Sequence, residues 1–82
     1  MLEIELSGHA RDMLAERHIL EEWVWRCVES PDRDELGTDG NMHYFRAIAE
    51  CGGRILHVVV NPNVRPQRVV TLFFGRRMRR RS

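Results

Sequence analysis

His9 sits in the run Ser7-Gly8-His9-Ala10-Arg11, and a second histidine, His57, lies in a later apolar stretch flanked in the chain by Tyr44, Arg46 and Thr71. Together these side chains could cleave RNA without a metal. Attack of a 2′-hydroxyl on its neighbouring phosphate needs a base, an acid for the leaving oxygen, and cations for the charge that builds on the phosphorane. His9 and His57 are the candidate base and acid, because imidazole is the side chain whose unperturbed pKa falls between about 5 and 8. Arg11 and Arg46 are the candidate cations. Tyr44 could stack on a base or donate a proton, and Thr71 could hold a phosphate oxygen or orient His57.

Each of these residues also has a plainer reading. His9 in a first helical turn can simply bond the preceding strand, His57 can be a solvated neighbour of Arg46, and Thr71 is a good strand former whatever else it does. Arg17, whose long stem can pack while its head finds carbonyls, reads as a structural arginine tying the Ser30-Pro31 region or the acidic loop that follows.

Metal chemistry finds no support in the spacing. Cys27 and Cys51 are a lone pair far apart in the chain, and His9, His18, His43 and His57 form no H-x3-H or HExxH pattern. No metal and no other cofactor is expected; Cys27 reads as a buried helical thiol and Cys51 as a turn residue.

Net charge is +1, but residues 1–50 carry all 12 acids with 5 arginines, whereas residues 51–82 carry 8 arginines and no acid. Every basic side chain is Arg, the better bidentate ligand for phosphate, although base composition of the genome explains that choice equally well. Arg54, Arg68, Arg76, Arg77, Arg79, Arg80 and Arg81 are therefore the candidate nucleic-acid contacts, with RNA the expected ligand. The run from Arg76 to Arg81 reads alternatively as a solubilising end, or as the segment an acidic protein partner covers.

The elements that must position these groups can be read from periodicity. Eighty-two residues make one domain, expected over 1–75, with 76–82 a basic tail. No stretch approaches the roughly 20 apolar residues that cross a bilayer, and the first residues lack the features of a secretory signal, so a cytoplasmic protein is expected. Leu2, Ile4 and Leu6 alternate with Glu3 and Glu5 as in a strand, Ser7 supplies a cap, and Ala10, Met13, Leu14 and Arg17 mark one face of a first helix.

A second helix carries Ile19, Leu20, Trp23, Val24, Cys27 and Val28 on its apolar face and ends at Ser30-Pro31. Trp25 stands off that stripe, either exposed or as an extra core contact. The polar segment 32–41 reads as a surface loop, and strand signals follow at 42–50, 54–60 and 67–74, joined by Gly52-Gly53 and by the Asn61–Pro66 connection. The order is β-α-α-β-β-β: an α+β domain with two helices on one face of an antiparallel sheet of three or four strands, the segment 2–6 pairing with its edge.

Strand parity is expected to put Phe45, Ala47, Ala49, Leu56, Val58, Val60, Val70, Leu72 and Phe74 beneath the helices. Tyr44, Arg46, Ile48, Ile55, His57, Val59, Val69, Thr71 and Phe73 would then share the other face. His43 is the exception in the first set, at a strand start where it can reach solvent.

The pattern S-x-H-A-R-x-x-M/L-x-x-R-x-I from Ser7 to Ile19, the helix ending at Pro31, the strand with Tyr44 and Arg46, the R-x-L-x-V-V run from Arg54 to Val59 and V-V-T at Val69 to Thr71 resemble the domain of unknown function 4258 family. The likeness spans Glu5 to about Phe74. It implies a helix-and-sheet fold similar to the RelE, barnase and colicin RNase toxins, and by that analogy a metal-independent endoribonuclease or RNA-binding protein of toxin type, paired with an acidic antitoxin-like protein. The alternative is a non-catalytic module that binds protein or nucleic acid on the same fold, since fold alone does not carry function. Two positions depart from the family's habit: His18 where glycine is common, and Leu20 where Ser, Thr or Asp usually caps the second helix.

Overall fold

A computed structural model describes residues 4–75. Strand β1 (Ile4–Leu6) leads directly into helices α1 (Gly8–Arg17) and α2 (Glu21–Glu29), and strands β2 (Arg33–Leu36), β3 (Met42–Ile48), β4 (Arg54–Asn61) and β5 (Gln67–Gly75) follow, with a single 3-10 turn at Ala49–Cys51. The five strands form one sheet in the order β1-β5-β4-β3-β2, antiparallel except for β1 beside β5. The domain is α+β, with both helices on the same side of the sheet. No helix among the described residues is long and apolar enough to cross a membrane.

The segment 32–41 is not loop throughout. Its first part is β2, which pairs antiparallel with β3 through Arg33↔Phe45 to Leu36↔Met42. All four β2 residues are exposed, so this strand buries no face and leaves no apolar alternation to be read. Backbone pairing to β3 makes it, and its charged side chains suit an edge strand, where they discourage a further strand from adding.

Helix α1 begins where Ser7, in extended conformation, accepts a 3.0 Å bond from Ala10 N–H through its hydroxyl while its own N–H donates to Val69 O at 3.0 Å. The cap thus joins helix and sheet at one residue. Helix α1 lies over β1 and β5, and α2 over β3 and β4. Ala10, Ile19, Trp23, Val24, Cys27 and Val28 from the helical layer meet Leu6, Ile48, Leu56, Val58, Val60, Val69 and Leu72 from the sheet. Each larger aliphatic side chain so buried contributes about 1.5–3 kcal/mol before chain entropy is counted.

The face assignment read from strand parity is corrected on β3 and in part on β5. Ile48 pairs with Arg54, Arg46 with Leu56 and Tyr44 with Val58, so even-numbered positions of β3 lie on the helix side with Leu56, Val58 and Val60. Phe45 and Ala47 are turned to the other face. The connection 49–53 has an odd number of residues, which pairs like parity with like, and a one-residue slip reverses every side chain. On β5 an irregularity opposite Val59 and Val60 brings Val69, not Val70, into the core.

The two departures at helix ends have local costs. His18 closes α1 in the left-handed region at φ 55, donating its N–H to Leu14 O, a conformation that disfavours any residue with a Cβ. Leu20 caps α2 without a side-chain bond and is 53% exposed. His18→Gly should therefore stabilise the protein by about 1 kcal/mol, and Leu20→Asp by about 1 kcal/mol through a new cap beside the helix dipole. In thermal unfolding each should raise Tm by roughly 4–8 °C; an unchanged or lower Tm for His18→Gly would contradict the left-handed cap.

Candidate functional site

The register Phe45↔His57 and His57↔Phe73 makes a row of three rings across β3, β4 and β5 on the face away from the helices. The His57 imidazole lies 4.3 Å from the Phe45 ring at 32° and 4.7 Å from Phe73 at 62°, between an offset stack and an edge contact. The adjacent row is His43, Val59 and Thr71. His43 is therefore a diagonal neighbour of His57, and its Nδ1 lies 2.9 Å from His57 Nε2. From β2 the Arg33 guanidinium covers the Phe45 ring at 4.3 Å.

Beyond His43 the turn between β2 and β3 folds back over the sheet. Asp39 Oδ1 accepts from Asn41 N–H at 2.9 Å and lies 3.3 Å from His43 Nε2. Those bonds hold the Asp39 carboxyl below the usual carboxylate range, the backbone bond from Asn41 contributing most and His43 next. Gly37 makes the approach possible, because a Cβ there would fall 2.5 Å from His43 Nε2 and 2.7 Å from Asp39 Oδ1. Glu35, Leu36, Gly37, Thr38, Asp39 and His43 line an open hollow of about 460 Å³ at this end of the face.

These contacts fix a proton order. A carboxylate only accepts, so His43 carries its hydrogen on Nε2 toward Asp39, which leaves Nδ1 as an acceptor; His57 then donates Nε2–H to it. The imidazole of His57 is left with an unprotonated Nδ1, which has no partner among the described residues. Burial pushes the His57 pKa down, with the neighbouring His43 and Arg33 acting in the same direction and Glu35 opposing them. His57 is a neutral base at neutral pH.

The residues singled out from sequence do not converge. His57 and Thr71 share the open face. His9 and Arg11 are exposed on the first turn of α1, in the helical layer, across the sheet from His57. Tyr44 packs beneath α2, and its pKa is raised by burial and then by Asp34 and Cys27, which makes it a poor proton donor. Arg46 donates from Nη1 to Ser30 O at the end of α2 and keeps its Nε buried with no partner among the described residues.

The tie to Ser30 expected of Arg17 is thus made by Arg46, and Arg17 is exposed. Of the arginines set aside for nucleic acid, Arg54 covers the Phe74 ring at 4.5 Å on the helix side, and Arg68 lies 3.4 Å from Glu5 across the β1–β5 pair. Arg76, Arg77, Arg79, Arg80 and Arg81 lie outside the described residues.

His43, Asp39, Gly37, Phe45 and Phe73 were missed as site residues. The signal for His43 and Phe45 was the odd connection 49–53, which places both on the face of His57. Nothing in the chain order announces Asp39, whose contact depends on how the β2–β3 turn folds. Trp25, expected either exposed or in the core, does both: it packs against the core edge while Nε1 donates to Glu21 at 3.1 Å. Cys27 is fully buried, its thiol pushed up to about 12 mainly by burial, so it is inert.

The family model described as a domain of unknown function (DUF4258) matches residues 6–74. Neither a curated protein nor a solved structure matches the chain.

The lowered His57 pKa predicts a pH profile. The unfolded chain binds a proton here more readily than the folded one, so stability rises with pH through the imidazole range and is lost on acidification. Between about pH 7.5 and pH 5.5 the denaturant midpoint of the wild type should fall, and the slope should flatten in His57→Gln. The opposite class separates cleanly: Glu50, held down to about 2 chiefly by its side-chain bond to Arg26, contributes above the ordinary carboxyl range and loses its share only as pH falls toward that value. Equal slopes for wild type and His57→Gln would contradict the placement of His57.

Proposed function

The chain belongs to the DUF4258 family, and from that premise we propose that it is an RNA-binding domain that takes single-stranded RNA on the open face of its sheet. The observation that carries this reading is the aromatic row Phe45-His57-Phe73 on a face that neither helix covers, in which His57 and Phe73 are part-exposed and Phe45, buried beneath Arg33, backs them. Flat rings presented in sequence across strands stack unpaired bases, and stacking tolerates any base because every base has a π face. Arg33 flanks the row beside Phe45, and the five arginines within 76–81 follow β5 directly in the chain. They supply cations for the phosphates between stacked bases.

The analogy to RelE-type toxins that the family resemblance implies favours the same ligand class. On this reading an acidic antitoxin-like protein would compete with RNA for the basic C-terminal run. Binding is favoured over the cleavage scheme built on His9 and His57 by one specific observation: His9 and Arg11 lie across the sheet from His57.

A labelled single-stranded RNA of about ten nucleotides should bind with an affinity that falls steeply with salt. Phe73→Ala should weaken binding about tenfold, within the range for loss of one stacked base. Removal of residues 76–82 should lower the slope of log K against log salt by up to about 3.5, if all five arginines meet phosphates. Fluorescence anisotropy reads all three, and affinity unchanged in Phe73→Ala would overturn the open-face assignment.

A further inference from the structure

We propose that Asp39, His43 and His57 form a proton relay that presents His57 Nδ1 on the open face as a general base toward a ribose hydroxyl of the bound RNA. The proposal rests on the RNA-binding reading for its ligand, and on the geometry of three side chains for its chemistry. Asp39 meets His43 Nε2 at 3.3 Å, and His43 Nδ1 meets His57 Nε2 at 2.9 Å. A base held by a second group that is itself oriented by a third is the arrangement that activates weak nucleophiles. Gly37 is part of it, because its missing side chain is the space in which the carboxylate and imidazole meet.

The surroundings suit a base. His57 is faced by His43 and Phe45 from β3, by Arg33 and Glu35 from β2, and by Thr71 and Phe73 from β5. The two rings exclude water from its sides without offering a partner to Nδ1. When Nδ1 takes a proton, the resulting imidazolium keeps its Nε2–H on His43, and the Asp39 carboxylate two links away offsets the charge.

The step balances without a metal or co-reactant. His57 Nδ1 removes the 2′-hydroxyl proton, the freed 2′-oxygen forms a bond to the adjacent phosphorus, and the bond from phosphorus to the 5′-oxygen breaks. The imidazolium returns its proton to that leaving oxygen. The products are a 2′,3′-cyclic phosphate and a 5′-hydroxyl. Asp39 and Gly37 are positioning residues, because they act through His43.

Two measurements separate the relay from the binding reading. Long-range proton–nitrogen correlation spectra of the free protein should show His43 and His57 both protonated on Nε2 and His57 unprotonated on Nδ1, and Asp39→Asn should alter the His43 nitrogen shifts. Gly37→Ala, whose added Cβ would meet both side chains, should do the same. RNA incubated with the protein in EDTA should yield cyclic-phosphate ends, a 2′-deoxy substitution at the scissile nucleotide should abolish them, and His57→Gln should cut the single-turnover rate at least tenfold at saturating protein, where a loss of stacking affinity no longer limits the rate. A His57 protonated on Nδ1, or cleavage unchanged in His57→Gln, overturns the relay. RNA that binds without being cleaved overturns the catalytic step, and RNA that fails to bind while the tautomers are as stated overturns the ligand assignment instead.

Discussion

An odd-length connection between β3 and β4 obliges even positions of one strand to share a face with even positions of the other, and that parity decides which side chains can meet. It sends Tyr44, Arg46 and Ile48 under helix α2 with Leu56 and Val58. It leaves His43, Phe45 and His57 together on the opposite side. Had the connection been one residue longer or shorter, Phe45 would sit in the core and the two imidazoles would lie on opposite faces. The open aromatic face and the chemistry proposed on it depend on this register.

Two polar ties keep the helical layer in step with it. Arg46 reaches Ser30 O at the end of α2, and Arg26 of α2 holds Glu50 in the β3–β4 connection through two bonds of 2.9 and 3.0 Å. The second pair is exposed, so its worth lies in geometry more than in energy. Together they fasten α2 to β3 and to the turn that sets the parity. On the far side of the sheet the β2–β3 turn folds back only as far as His43.

Much of the architecture was legible because it is local. Alternation in Leu2-Ile4-Leu6, the Ser7 cap and the apolar stripe of α2 are consequences of side-chain period and hydrogen-bond supply within a few residues. The α+β class and the helix order follow from them. Strand β2 was not legible, since four exposed positions, three charged residues and Leu36, carry no pattern and owe their conformation to β3. The candidate site was legible in its residue types more than in its geometry: His57 and Thr71 share the open face, while Tyr44 and Arg46 lie on the helix side, because an arginine and a phenol on a strand look the same in sequence whichever face they take. The familiar His9 motif is explained by the α1 entry, where Ser7 joins the helix to β5.

The open aromatic face exists only if Phe45 and His57 share the side of the sheet away from α2. Nuclear Overhauser contacts among side chains test this directly in the folded protein. The ring protons of His57 should show cross-peaks to Phe45, Phe73 and His43 and none to Val24 or Cys27. Cross-peaks from Phe45 to Val24 and Cys27 of α2 would contradict the register, and with it the open aromatic face.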